Sequence, residues 1–95
     1  MSRGDAKPGK VSDTVTRLTP MYRVILHNDD TNSQVHVLQA LADVFSMNAP
    51  QAIRTLLEAH TTGSALCDIL PLEQAEFRRD RLQAWSLTGT VEPEV

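Results

Sequence analysis

From Met21 onward the apolar residues keep switching between an alternating and a helical period, and Pro50, Gly63, Pro71 and Pro93 fall at the joints. Proline has no backbone N–H to give a ladder, and glycine enters left-handed backbone at little cost, so such residues open or close elements. Tyr22, Val24 and Leu26 alternate with Arg23, Ile25 and His27, the pattern of a strand. Asn32 or Ser33 is a suitable N-cap for a first helix, in which Val37 or Leu38, Leu41, Val44 and Phe45 recur at helical spacing through about Ser46. Pro50 suits the opening turn of a second helix, carrying Ile53, Leu56, Leu57 and His60 until Gly63. The apolar run at residues 65–70 reads as a strand ended by Pro71. Residues 72–84 read as a third helix with Leu72, Ala75 and Leu82, with Glu73 and Glu76 early and Arg78, Arg79 and Arg81 late, as the helix dipole favours. Residues 87–91 read as a last strand that Pro93 terminates.

The order is therefore βααβαβ. It predicts an α+β fold: a small open sandwich with a three-stranded antiparallel sheet packed against three helices. With 95 residues there is room for one domain. Residues 1–20 are polar, hold Gly4, Pro8, Gly9 and Pro20, and read as a flexible arm before a core at 21–92 and a short tail at 93–95.

The formal charge of −3 is uneven, because residues 1–20 contribute a net +2 and leave the remainder at −5. A nucleic-acid binder normally shows a basic face over its folded part, so that class is disfavoured. The lone Cys67 excludes an intramolecular disulfide and a cysteine zinc site, and points to a reducing compartment. The start lacks the apolar segment of a signal peptide and no run approaches a membrane span, so the expectation is a cytoplasmic protein. Most apolar residues are needed inside, which predicts a monomer.

The strand at Met21 ends in His27, Asn28, Asp29, Asp30, Thr31 and Asn32, a run of side chains that mostly accept hydrogen bonds. Two readings stand side by side: a turn with a helix cap, or a receptor for a positively charged hydrogen-bond donor. Catalysis by Cys67 and His60 is disfavoured, because the thiol sits within an apolar strand where it fills space. His27, His36 and His60 with Asp29 and Asp30 lack a recognisable metal spacing, so no metal or other cofactor is expected. His60 near a helix end could equally cap carbonyls. The residues alone lead to a small α+β binding module.

Two motifs go further. Tyr-x-Val-x-Leu-x-Asn-Asp-Asp, at residues 22–30, and His-x-x-Gly-x-Ala-x-Cys, at His60, Gly63, Ala65 and Cys67, together resemble the ClpS family. Its members are adaptors that deliver N-degron substrates to the Clp AAA+ protease. The likeness runs from about Met21 to Glu92. It implies a non-enzymatic adaptor in which Asn28, Asp29 and His60 hold the α-ammonium group and first peptide bond of a substrate, with Asp30 and Asn32 shaping the rim. Gln34, Val37, Leu56, Ala59 and Leu87 match the positions of the hydrophobic pocket for a first side chain, Leu, Phe, Tyr or Trp. Glu73 and Arg78 match the positions that dock on the N-terminal domain of a Clp ATPase of the ClpA or ClpC type. The arm corresponds to the segment that the ATPase engages during delivery. The chain departs from the family pattern at Gln34, where methionine is frequent, at Asn32, where threonine is common, and in a shorter third helix with a shorter connection to the last strand. Those departures keep an alternative open, a ClpS-like regulator that occupies the ATPase without recognising N-degrons.

Overall fold

The computed structural model describes residues 19–95, so residues 1–18, most of the expected arm, lie outside it. The elements are β1 (Met21–His27), α1 (Gln34–Phe45), α2 (Ala49–Thr62), β2 (Ser64–Pro71), α3 (Leu72–Ala84) and β3 (Gly89–Pro93). This is the βααβαβ order that the periods predict. β1 is the central strand of an antiparallel sheet ordered β2-β1-β3. Val24 and Leu26 of β1 enter one core with Val37, Ala40, Leu41 and Val44 of α1, and with Ala75 and Leu82 of α3.

The helix ends follow from local chemistry. Of the two candidate caps, Ser33 is the N-cap of α1, its Oγ accepting from His36 N at 3.1 Å. Asn48 and Gln51 form a reciprocal capping box at the start of α2, where Pro50 occupies the first turn. Gly63 stops α2 at φ 100, a left-handed conformation that glycine adopts without a Cβ penalty.

Three expectations change in the folded chain. The inward face of α2 is Ala52, Thr55 and Ala59, with Leu56 half-buried, while Ile53 and Leu57 are 45% and 53% exposed. Small residues on that face let α2 pack close to its neighbours, which rotates the apolar stripe by about one residue, or about 100°. Leu72, in the first turn of α3, is also exposed.

The last strand starts at Gly89 rather than at Leu87. Leu87 instead belongs to the end of α3: Ser86 N donates to Gln83 O at 2.9 Å and Leu87 N to Leu82 O at 3.0 Å. With Ser86 at φ 64, these bonds make a Schellman motif, whose following apolar residue, Leu87, turns into the core. Gly89 then passes so close to α3 that a Cβ there would lie 2.8 Å from Leu82 Cδ1.

β1 and β2 shift register between Val24 and Ile25, which pair with Asp68 and Leu66, so Cys67 is the extra residue of a bulge. Beyond β3, Glu94 N donates to Met21 O, so pairing with β1 continues into the expected tail. Among the described residues no helix is long and apolar enough to cross a membrane.

Candidate functional site

Residues 28–33 connect the end of β1 to α1, and two neighbouring segments hold them there. Asn28 N donates to Gly63 O at 2.9 Å, which ties the loop to the joint between α2 and β2. His27 N donates to Thr88 O at 3.0 Å, and Asn32 Nδ2 donates to Ser86 O at 3.0 Å, so the other side of the loop meets the segment between α3 and β3.

Within the loop, Asp29 is the hub. Its Oδ1 accepts from Thr31 N at 2.7 Å and Asn32 N at 3.0 Å, and its Oδ2 accepts from Asn32 Nδ2 at 2.6 Å. The Asn32 side-chain amide first, then the Asn32 and Thr31 backbone N–H groups, hold the Asp29 carboxyl below its ordinary value. Asp29 is therefore a stable carboxylate. Asp30 is exposed and accepts a long bond, 3.4 Å, from Asn28 Nδ2.

Two concavities meet at this loop. One is a small cavity of about 10 Å³ lined by Leu26, His27, Asn28, Asp29, Val37, Leu56 and Ala59. That volume holds about one water. The other is an open polar basin of about 690 Å³ lined by Asn28, Asp29, Asp30, Thr31, Asn32, Ser86 and Thr88. Asn28 and Asp29 line both.

The fold thus brings Asn28, Asp29, Asp30 and Asn32 together, and sets Val37, Leu56 and Ala59 behind them. His60 is exposed on the last turn of α2, three residues before the Gly63 carbonyl that receives Asn28 N. Gln34, the first residue of α1, is exposed and lines neither concavity, and Leu87 is packed in the core cluster. Ser86 and Thr88 as basin walls, and Leu26 and His27 as cavity walls, are the additions that sequence reasoning missed. Leu26 carried a signal, being the last inward residue of the strand, whereas nothing in the sequence marks Ser86 or Thr88.

On α3, Glu73 is exposed in the first turn, but Arg78 is half-buried and its Nη1 donates to Val44 O at 2.7 Å. Arg78 thus satisfies a carbonyl at the end of α1, whatever else it contacts. Cys67 packs against the core, and burial above all pushes its thiol up to about 12, so the thiol form prevails at neutral pH. Among the described residues no group of three His, Cys, Asp or Glu gathers in a way that could hold a metal ion.

A wider apolar groove of about 270 Å³ runs along the outer seam of α1 and α2, with Val35, Leu38, Ala42, Met47 and Ile53 among its walls. It offers no carboxylate to a charged ligand.

Comparison with known proteins places the fold in a family. The family model described as "ATP-dependent Clp protease adaptor protein ClpS" matches residues 17–89. The ATP-dependent Clp protease adapter protein ClpS of Synechococcus elongatus is 39% identical over 82 residues, covering 85% of this chain and 86% of the relative. Its counterpart in Nitratidesulfovibrio vulgaris is 40% identical over 82 residues, covering 82% of this chain and 79% of the relative. The solved structure of Agrobacterium tumefaciens ClpS2 bound to L-phenylalaninamide superposes with a TM-score of 0.75 at 30% identity, covering 79% of this chain and 98% of that one. With its fold and nearly its whole described length accounted for, the chain belongs to the ClpS family of ATP-dependent Clp protease adaptor proteins.

Proposed function

We propose that the protein binds the free α-amino group and bulky hydrophobic first side chain of N-degron substrates and delivers them to a Clp AAA+ ATPase. The observation that carries this reading is the sharing of Asn28 and Asp29 by a polar basin and an apolar cavity. A ligand with an ammonium group one carbon from an apolar side chain can use both at once. L-phenylalaninamide, present in the Agrobacterium tumefaciens ClpS2 structure, is such a molecule.

The carboxylate of Asp29 has about four acceptor positions, and three of them are taken by Thr31 and Asn32. The remaining one faces no competing donor of the loop and serves the ammonium. Asn28 uses its Nδ2 on Asp30, which leaves Oδ1 as an acceptor. His60, when neutral, supplies a third from α2. A hydrogen bond to a charged group contributes about 1.5–3 kcal/mol, and burial of a Leu or Phe side chain a similar amount. Val37, Leu56 and Ala59 form the apolar side, and their cavity of about 10 Å³ opens as the first side chain enters. Asp30 and Asn32 shape the rim, while Gln34 and Leu87, which line neither concavity, are assigned to the pocket by the family resemblance alone.

Glu73 and Arg78 dock on the N-terminal domain of a ClpA- or ClpC-type ATPase, and the adaptor works as a cytoplasmic monomer. The near-closed cavity also favours a second reading, in which the protein occupies the ATPase and regulates it without recognising N-degrons.

Fluorescence anisotropy separates the two. Labelled peptides differing only in their first residue, Leu, Phe, Trp, Tyr, Val or Met, are titrated free and N-acetylated, since acetylation removes the charge and leaves the side chain. The receptor reading expects binding of the free Leu and aromatic peptides, lost on acetylation and weakened about ten-fold or more in Asp29→Ala and His60→Ala. Absence of binding by folded protein returns the loop to a turn-and-cap role and leaves the regulator.

A further inference from the structure

The acceptor loop and the start of α1 are fastened to the end of α3 by two side chains, Asn32 at the rim of the proposed receptor and His36, which the receptor does not use. α3 ends in Trp85 and Ser86, whose carbonyls lie past the last helical bonds and so need outside donors. Both find them on the loop side of the molecule. His36, in the first turn of α1, bonds Trp85 O through Nε2 at 2.6 Å, and Asn32 Nδ2 bonds Ser86 O at 3.0 Å. Because a carbonyl only accepts, His36 Nε2 carries the hydrogen.

The turn that receives these bonds is itself rigid. Its Schellman bonds fix Ser86 and Leu87, and Leu87 is anchored in the core. Trp85 is held twice more: its indole meets the His36 ring edge-on, centroids 5.2 Å apart, and its Nε1 donates to Asp43 Oδ2 at 3.0 Å. Arg81 closes on the same Asp43 oxygen. Trp85 therefore sits between two residues of α1, His36 and Asp43, which hold it from both sides.

We propose that His36 and Trp85 are positioning residues for the acceptor loop: they fix the Trp85–Ser86 turn, on which Asn32 and through it the Asp29 carboxylate are aimed. Asn32 Nδ2 is shared between Ser86 O and Asp29 Oδ2, so a displaced turn takes that donor from the carboxylate or from its own carbonyl. Ser86 and Thr88 also form the wall of the basin facing Asp29 and Asp30, so the turn sets the basin's width. The effect on recognition rests on the α-amino receptor reading; the effect on the loop does not.

The test compares the full-length protein with His36→Phe, which keeps a ring but loses the donor, and His36→Gln, whose amide restores a donor at similar reach. Trp85→Phe keeps a ring and loses the bond to Asp43. Amide hydrogen exchange at Thr31 and Asn32, the two N–H groups bonded to Asp29, reads the loop without any ligand. Anisotropy with a free-amine Leu peptide reads recognition, and Trp85, the single tryptophan, reports the turn by its own emission.

Exchange at Thr31 and Asn32 is expected to quicken about ten-fold in His36→Phe and Trp85→Phe, peptide affinity to fall about ten-fold, and His36→Gln to return both toward wild type. Peptide binding shifts the Trp85 emission in the wild type. Unchanged exchange in His36→Phe overturns the proposal, as does equal behaviour of the Phe and Gln variants, or faster exchange with undiminished peptide affinity. If wild-type protein binds no free-amine peptide, the receptor reading fails, and the exchange comparison still decides whether these two residues order the loop.

Discussion

Two glycines flank the site, and alanine at each should destabilise the fold for opposite reasons. At Gly89 the backbone is ordinary but space is missing: a Cβ would lie 2.8 Å from Leu82 Cδ1, 3.5 Å from Leu82 Cβ and 3.6 Å from Arg79 Cγ. Leu82 is fully buried, so its side chain cannot swing aside without disturbing the core. Overpacking costs about 1–3 kcal/mol, and the stiffer unfolded chain returns about 0.4–1 kcal/mol of it. A net loss of about 1–2 kcal/mol lowers the midpoint of thermal unfolding by about 5–15 °C for a domain of this size. At Gly63 nothing lies within 4 Å of the added Cβ, but φ is +100. There the cost is backbone strain, about 1–2 kcal/mol. Asparagine separates the two mechanisms, because it tolerates left-handed backbone but needs more room than alanine. Urea unfolding should therefore rank Asn above Ala at position 63 and below Ala at position 89. The same order at both positions, or a Gly89→Ala midpoint at or above wild type, would refute the claim that α3 is seated against Gly89.

Arg78→Ala should lower stability by about 1 kcal/mol, because the α1 carbonyl of Val44 loses a charged donor, whereas the exposed Glu73→Ala should stay within about 0.5 kcal/mol of wild type. Thermal unfolding alongside a pull-down with the ATPase N-terminal domain shows whether lost docking in Arg78→Ala merely follows lost stability. For Asp29, the hydrogen bonds from Asn32 and Thr31 lower the folded-state pKa below its ordinary value of 3.8, so its stabilisation is fully present above 3.8 and is lost as pH falls through the folded value. The stability difference between wild type and Asp29→Asn, from urea titrations across pH, should be flat above 3.8 and shrink below it. A difference that already shrinks between about pH 6 and pH 5 would contradict the lowered value.

Local chemistry made most of the fold legible and tertiary chemistry hid the rest. The alternation in β1, the Pro50 start and Gly63 stop of α2, and the charge order of α3 are each written within a few neighbouring residues. The α2 face was misread because Ile53 and Leu57 are more apolar than Ala52 and Ala59, and hydrophobicity outweighs size in a periodicity argument. The helix instead turns its small side inward, where close packing is possible. Leu87 looked like the first residue of a strand because a buried apolar residue after a helix serves equally as the closing contact of a Schellman motif. The usual marker of that motif, glycine, is replaced here by Ser86. At the site, the loop itself was legible, but its second wall at Ser86 and Thr88 comes from residues more than fifty positions away in the chain. The role of Arg78 at the end of α1 has the same origin.

The bonds of Asp29 make the turn and the proposed receptor compatible. A free carboxylate on an exposed loop would be hydrated and mobile, and ordering it on binding would cost much of what an ammonium contact contributes. Here Thr31 and Asn32 order the carboxylate beforehand and keep it ionised by donating to it, while leaving acceptor capacity unused. The cap then adds direction: Ser33 starts α1 immediately after the loop, so Val37 projects from the first turns of that helix into the cavity that Asn28 and Asp29 also line. The apolar cavity is small, about 10 Å³, and the polar basin beside it is open. Recognition by such a site begins at the charge, and the side chain that follows must supply enough burial to part Val37, Leu56 and Ala59. Under the proposed function, a small first residue such as Ala would meet the first condition and not the second, so a preformed carboxylate and a narrow apolar cavity together would select bulky hydrophobic residues.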